Sequence, residues 1–467
     1  MTPEEILARQ ARALDRRRAQ DALWQDCYDH VLPPATGGRV AIYDATAADA
    51  AEQLAASLLA ELTPPWSRWF GLAPARPVEG DSQAAMALED AAETLQGHLD
   101  RSNFALEMHQ AFLDLVVAGT GVLLVEEAPP GEPSALRFTA VPLREAVLEE
   151  GASGRLDTVF RAARLDEATL RERYPAAPLP PATDEEAARH RVVEAVWPGR
   201  TGTRFMAIAA TDAGPVVLAE GRFAESPFIA FRWLKAPGET YGRGPVAKAL
   251  PDIRTANKVV ELVLKNASIA ATGIWQADDD GVLNPATVRL EPGAIIPKAP
   301  GSAGLTPLAA PGNFDVSQLV LTDLRARIRG ALLADRLGPQ RGDSMTATEV
   351  LERAAETARL LGATYGRLQS ELLTPLIARC LAILRRRGEV PPLLLDGQEA
   401  VLRYRSPLAQ VQGRADAANT LLFLQAVRAM GPEALAQIDL PAAARWLGRT
   451  LSAPAEILLP PVQTDKE

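Results

Sequence analysis

Two stretches of helical sequence each carry positive side chains along one face, where they could contact a polyanion. At about 100° per residue, Arg254, Lys258 and Lys265 fall with Glu261 within about 60° of arc. The second stretch groups cations on one face in the same way: Arg325, Arg329 and Arg336. Such rows attract phosphate groups by charge without reading a base sequence. A single basic helix face is more often plain solvated surface, but two helices of matching design favour a functional role.

The net charge limits how such a polyanion could be bound. The chain has 49 Lys and Arg against 59 Asp and Glu, a formal net charge of −10. Residues 245–272 hold four cations against two carboxylates, and residues 314–336 hold four against three. The excess of positive charge is local and modest, which excludes a protein that wraps nucleic acid with its whole surface.

Other chemistries find little support in the sequence. There is no GxxxxGK[ST] loop, and the pairs Gly119-Thr120-Gly121 and Gly242-Arg243-Gly244 are too short for a dinucleotide fingerprint. The four histidines lie outside any HExxH or HxE pattern, and Asp278-Asp279-Asp280 lacks the spacing of an EF-hand. Cys27 and Cys380 stand far apart, which favours a reducing compartment over a disulfide or zinc site. We therefore predict no enzyme activity, no cofactor and no metal.

Length and composition indicate a folded protein of several modules. A chain of 467 residues, 47% apolar and 23% charged, has an ordinary globular composition. The charged amino terminus lacks the apolar core of a signal peptide. The most apolar stretch, 259–275, is interrupted by Glu261, Lys265 and Asn266, so we predict no membrane span.

Periodicity divides the chain near residue 244. Residues 1–244 combine helical patterns with strand-like runs that begin after Gly119, which predicts an α+β module. On the first helix, Arg16, Arg17 and Arg18 are expected to face solvent.

From residue 245 onwards the helical period dominates. A helix ending near Ala271 leads into a Pro- and Gly-rich stretch at 274–311, and a second helix is predicted over 315–336. After a loop, a capping box at Thr346 opens a helix that reaches Arg387 and that Pro375 should kink. Shorter helices are predicted at 414–430 and 441–447.

This order of helix, excursion, helix, loop and long helix resembles the portal proteins, or head-to-tail connectors, of short-tailed bacteriophages. The best matching stretches are YGRGPVAKALPDIRTANKVVE at 241–261 and TATEVLERAAETARLLGATYGRLQSELLTPLI at 346–377. Supporting matches are DATAADAAEQLAASLLAELTPPWSRWF at 44–70 and SNFALEMHQAFLDLVVAGTGVLLVEE at 102–127. None of these is a catalytic motif, so the resemblance depends on their order and spacing.

The resemblance implies an α+β, mostly helical portal fold with wing, stem, clip and crown, assembled as a ring. Its segments would be the wing at 1–244, the first stem helix at 245–272, the clip at 273–313, the second stem helix at 314–336, the channel loop at 337–345, the long kinked wing helix at 346–388, and the crown with the C-terminal tail at 389–467.

Family members form a ring, usually a dodecamer, at one capsid vertex, through which double-stranded DNA is packaged and ejected. The resemblance implies a virion protein assembled in the host cytoplasm, with no membrane partner. Its implied partners are copies of itself, DNA without sequence specificity, the major capsid protein, the terminase and then a tail adaptor. The residues expected to face the DNA channel are Arg325, Arg329, Arg336, Arg341, Lys258 and Lys265. Those expected to pack between helices are Val260, Val263, Val320 and Leu324.

Two other classes of protein stay open at this point. One is a cytoplasmic helical scaffold or adaptor that never touches DNA. The other is an α+β enzyme, which would need a pocket with convergent titratable groups.

Overall fold

Helices hold more of the described chain than strands do, which confirms the predicted α+β, mostly helical class. A computed structural model describes residues 1–33, 38–65, 67–73, 82–177, 189–211, 214–272, 274–276, 300–301, 306–308, 314–334, 362, 364–391, 401–404, 407–435 and 437–450. The helices are α1 (Pro3–Val31), α2 (Thr46–Leu62), α3 (Ser82–Arg101), α4 (Phe104–Ala118), α5 (Glu167–Arg173), α6 (Pro245–Thr272), α7 (Phe314–Ala331), α8 (Thr374–Arg387), α9 (Pro407–Met430), α10 (Pro432–Leu435) and α11 (Leu440–Thr450). Within these ranges no helix combines the length and apolarity needed to cross a membrane.

The strands form antiparallel sheets. They are β1 (Phe70–Ala73), β2 (Thr120–Glu127), β3 (Leu136–Ala140), β4 (Ala146–Glu150), β5 (Leu156–Asp166), β6 (Arg189–Pro198), β7 (Thr203–Thr211), β8 (Gly214–Phe223), β9 (Phe228–Arg232), β10 (Ile274–Gln276), β11 (Thr306–Leu308) and β12 (Val401–Tyr404). β2 lies at the centre of a three-stranded sheet of order β3-β2-β9, and β4 to β8 form a five-stranded meander. Two further pairs join β1 to β12 and β10 to β11.

The main core lies between the helices and the three-stranded sheet. Its fully buried members include Leu58 of α2, Phe112 of α4, Phe231 of β9, Ile328 of α7 and Leu376 of α8. Burying a side chain of this size contributes roughly 1.5–3 kcal/mol. α6 packs against α1, α2 and α4, and α7 packs against α2.

The prediction that the arginine triplet of α1 faces solvent is wrong for Arg17, which is buried. Its Nη1 donates to the carbonyl oxygens of Leu143, at 2.7 Å, and Ala146, at 2.6 Å. Because α1 packs beside β4, the buried guanidinium finds its hydrogen-bond acceptors in these carbonyl groups. Arg16 and Arg18 are exposed as predicted.

The two GxG pairs meet each other in the fold. Gly119 ends α4 with φ 82°, and a Cβ there would overlap the backbone nitrogen of Gly244. A Cβ on Gly242 would overlap the carbonyl oxygen of Gly119. The N–H of Gly242 donates to Thr120 Oγ1 at 2.9 Å. The absence of side chains lets the backbone that enters α6 lie directly on the turn between α4 and β2.

One π-helical turn, Gln369–Leu373, precedes α8 at the place where Pro375 is predicted to kink the long helix. The backbone N–H and the hydroxyl of Thr374 both donate to the carbonyl oxygen of Gln369. Pro375 has no N–H to donate back into the helix, and a π turn is a common way to accommodate such a break.

A buried ion cluster fastens this π turn to the sheets. Arg232, at the end of β9, is fully buried and donates to the carboxylate of Glu371 through Nη2 at 2.6 Å and Nε at 3.2 Å. The same guanidinium reaches Glu150, the carbonyl oxygen of Gly154 and that of Thr240. It therefore connects the β4–β5 hairpin, the segment that enters α6 and the π turn.

The second predicted helix ends earlier than the sequence suggests, at Ala331 and not at 336. Leu332 is fully buried in the core, and Leu333 adopts φ 55°. Gln53 of α2 donates to the carbonyl oxygen of Ala334 at 3.2 Å. The helix thus ends one residue after Gly330, and the turn that follows it packs against α2. The predicted channel loop and residues 346–361 lie outside the described residues.

Candidate nucleic-acid interface

α6 and α7 lie side by side and run in opposite directions. Asp252, near the start of α6, pairs with Arg327, near the end of α7, at 2.9 Å. At the other end the β10–β11 pair joins the segment that follows α6 to the segment that precedes α7. The two helices therefore form a hairpin with one end in the core.

Burial divides this hairpin into two halves. In the inner half, 245–257 with 321–334, the side chains of Val246, Ile253 and Ile328 are buried in the main core. In the outer half, 258–268 with 318–320, large apolar side chains are exposed: Leu262, Leu264, Leu319 and Val320. Leu319 is 73% exposed. The chain itself anchors the inner half and leaves the apolar surface of the outer half uncovered.

A polar clamp from the segment before α2 holds the inner half of α6. Asn257 Oδ1 accepts the backbone N–H of Tyr43 at 2.6 Å and that of Asp44 at 3.2 Å. Its Nδ2 donates to the carbonyl oxygen of Ala41 at 3.0 Å. One side chain in the middle of a helix therefore fixes the path of a loop more than 200 positions earlier in the chain.

The same segment holds α7 through Asp44. Its buried carboxylate accepts Arg325 Nε at 2.8 Å and the backbone N–H of Thr46 at 3.0 Å. Burial alone would raise the pKa of Asp44, but the hydrogen bonds from Thr46 and Arg325 outweigh it and hold the pKa below its ordinary value. The charge of Arg325 is thus compensated within the chain. Its side chain is 45% exposed, and its orientation toward a channel stays a prediction.

The two candidate lysines of α6 share one carboxylate. Lys258 Nζ lies 2.9 Å from Glu261 Oε2, and Lys265 Nζ lies 2.6 Å from Glu261 Oε1. Hydrogen bonds from Lys265 and then Lys258 lower the pKa of Glu261 to about 2. The trio therefore carries one net positive charge.

The other cations of the two stripes differ in their surroundings. Arg254 pairs with Asp26 of α1. Arg329 is exposed, and no carboxylate pairs with it in the described part of the chain. Arg336 and Arg341 lie outside the described residues. Among the predicted DNA-facing residues that are described, Arg329 thus offers the least compensated charge.

The four residues predicted to pack between helices are placed differently. Leu324 is buried in the core, Val260 is half-buried against it, Val263 is half-buried and Val320 is exposed. Leu324 and Val260 thus belong to the main core, and packing of the four residues helix on helix stays a prediction. Contact of the others with a second subunit stays a prediction.

The arrangement that most resembles a catalytic triad has a structural role. His98 Nδ1 accepts the backbone N–H of Ala135 at 3.1 Å, so its Nε2 carries the proton and donates to Glu389 at 2.6 Å. The hydroxyl of Ser134 donates to the carbonyl oxygen of His98 at 2.8 Å. The Ser134 hydroxyl lies 3.4 Å from His98 Nδ1, farther than from the carbonyl oxygen, so its proton is directed to the backbone and not to the imidazole. No cluster of His, Cys, Asp and Glu suited to a metal ion occurs in the described ranges.

The rows of cations on the two helix faces did not point to Asp44 and Asn257, the residues that position the hairpin. Both lie in stretches on which the family resemblance depends, 44–70 and 241–261. A signal existed in Asn257, because asparagine in a helix interior is unfavourable unless its side chain has a specific partner. Nothing local connects Asp44 with Arg325.

The chain belongs to the bacteriophage head to tail connecting proteins, since the profile of that family matches residues 4–458. It is 25% identical over 492 residues to a probable portal protein of Bordetella phage BPP-1, covering 94% of this chain and 85% of that protein. It is 23% identical over 494 residues to the portal protein of Salmonella phage epsilon15, covering 93% and 85%. A chain in the neck of an empty GTA particle aligns with 80% of this chain and 84% of its own length, at 13% identity and a TM-score of 0.35. Members of the family are structural proteins of the virion and not enzymes.

Proposed function

We propose that this chain is the subunit of a portal ring at one capsid vertex, through which double-stranded DNA is packaged and ejected. The family match over 4–458 carries the proposal. The hairpin supports it, because exposed leucines on a projecting helix pair need a neighbour to cover them. Copies arranged around a closed ring supply that neighbour at every position.

The proposal assigns the hairpin as the stem, with 245–272 as its first helix and 314–336, of which α7 covers Phe314–Ala331, as its second segment. Residues 273–313 are the clip, 337–345 the channel loop and 346–388 the long wing helix. Residues 1–244 are the wing and 389–467 the crown. The ring is a dodecamer that joins the major capsid protein and takes the terminase first and a tail adaptor later.

The charge pattern of the hairpin fits a conduit. Each phosphate that a protein neutralises adds affinity through counterion release, so a strongly basic channel would slow the passage of DNA. Here Arg325 is held by Asp44, and two lysines share Glu261. Arg329, which has no carboxylate partner among the described residues, becomes a ring of positive charge when the subunit is repeated. That ring contacts the DNA backbone without reading its sequence.

Electron microscopy of the purified protein tests the assembly. We expect particles with rotational symmetry and a central hole wide enough for a DNA duplex. Compact particles without a hole would instead support the scaffold or adaptor class.

An Arg329→Glu variant tests the contact with DNA. Rings should form normally, while the DNA packaged or retained per head falls several-fold. Arg12→Glu is the matched control, since Arg12 is also exposed but lies on α1. Arg325→Glu is a poorer test, because it would place a second carboxylate beside Asp44. Normal packaging with Arg329→Glu would show that Arg329 does not contact DNA in the channel.

A further inference from the structure

A small cavity of about 60 Å³ lies where α2, α3 and α4 meet, and neither α6 nor α7 contributes to its lining. Thr63 and Pro64 line it from the end of α2, Gln96 and Asp100 from α3, and Trp69 and Phe104 provide aromatic walls. It thus lies apart from the proposed stem.

Two buried polar atoms of this lining have no hydrogen-bond partner among the described residues. Thr63 is fully buried, and its Oγ1 is one of them. The other is Gln96 Oε1. The amide of Gln96 is oriented by its Nε2, which donates to Asp100 Oδ1 at 2.7 Å, so Oε1 is left as an acceptor. Buried polar atoms without a partner are rare, and a bound group with a hydrogen bond to offer is one way to satisfy them.

The chemistry of the lining selects the kind of group. Among the described lining residues, the side-chain acceptors are the hydroxyls of Thr63 and Ser102, the Gln96 carbonyl oxygen and the carboxylate of Asp100, which is exposed to solvent, and none of these residues is a lysine, arginine or histidine. Trp69 and Phe104 add aromatic rings, a kind of group that attracts cations. A cationic donor would satisfy the buried acceptors and also pair with the carboxylate, which an anionic group could not do.

We propose that this cavity binds an alkylammonium group, either the end of a partner protein's lysine side chain or a free small amine. Since one water needs about 10–15 Å³ of such a cavity, a volume of about 60 Å³ has room for an ammonium with one or two methylenes. This site is independent of the proposed portal function, and the failure of either leaves the other standing.

Calorimetry with ethylammonium chloride on the assembled protein tests the site, with ethanol as the neutral counterpart and ionic strength held constant. We expect one site per chain with a dissociation constant of about 1 mM, near the limit for so small a ligand. Asp100→Asn should weaken binding about tenfold or more. Asp90→Asn is the matched control, because Asp90 is also an exposed acid of α3 but does not line the cavity.

Thr63→Val, which keeps the shape of the side chain and removes its hydroxyl, should also weaken ethylammonium binding. N-acetyl-lysine methylamide distinguishes the sources: tighter binding than ethylammonium assigns the cavity to a partner's lysine, and equal or weaker binding assigns it to free amines. The proposal is overturned if ethylammonium binds no better than ethanol or if Asp100→Asn binds as Asp90→Asn does. Density for ordered water only, at saturating ethylammonium, would overturn it as well.

Discussion

The inner and outer halves of the α6–α7 hairpin use the same kinds of side chain in opposite ways. In the inner half, apolar side chains such as Ile328 fill the core, and Arg325 pairs with an acid from another element. In the outer half, Leu319 is exposed, and within the described part of the chain Lys258 and Lys265 pair with Glu261 of their own helix. The difference teaches that this chain buries the inner half by itself and leaves apolar side chains of the outer half exposed. In the proposed ring, a neighbouring subunit would cover them.

Truncating one apolar side chain in each half gives the sharpest contrast. Ile328→Ala should lower the free energy of unfolding of the isolated chain by about 2–5 kcal/mol, because it opens a cavity in the core. Leu319→Ala should change it by less than about 0.5 kcal/mol, since the side chain is largely exposed. Urea denaturation at concentrations where the chain is monomeric measures both. Equal losses would mean that the two halves do not differ.

Removing the clamp should have an intermediate effect. Asn257→Ala leaves the N–H groups of Tyr43 and Asp44 without their acceptor, which should cost about 1–3 kcal/mol of unfolding free energy. Asn266→Ala, in the outer half of the same helix, is the control and should cost less. Hydrogen exchange should show faster exchange at 41–46 in Asn257→Ala alone. Unchanged protection at 41–46 would show that the Asn257 hydrogen bonds do not hold this segment against α6.

The smallest expected effect depends on pH. The pKa of Asp44 lies below its ordinary value in the folded chain, so its pairing stabilises the fold above about pH 4, and this stabilisation is lost as pH falls through the folded pKa. Arg325→Gln should cost less than about 1 kcal/mol near pH 7, because the guanidinium is partly exposed, and progressively less as pH falls through the folded pKa of Asp44. Urea denaturation at several pH values measures the difference between variant and wild type. A difference that does not change with pH would show that Arg325 acts by packing alone.

Local patterns predicted most of the elements. The apolar runs after Gly119 and through 228–232 became β2 and β9, and the helical periods became α1, α2, α4 and α6. β4 and the β1–β12 pair were not predicted. β4 is a strand of five residues beside a turn, and β1 finds its partner at 401–404, so neither carries a strong local signal.

The candidate site was predictable only in part. The spacing of the cations on two helix faces is readable from the sequence, as is the family resemblance. The sequence does not reveal which cations are paired with a carboxylate, because partners such as Asp44 and Arg325 are 281 positions apart. The two glycine pairs illustrate the same limit. Neither pair is informative by itself in the sequence, and only the fold shows that their backbones lie in contact with each other.

The sequence by itself determined the helices, most of the strands and the order of segments that the family shares, because periodicity, caps and turn residues act over a few positions. The tertiary structure decided where α7 ends, which side of the hairpin is anchored and which charges are neutralised. The physical reason is that burial and electrostatic compensation depend on neighbours in space, and in this chain those neighbours come from distant parts of the sequence.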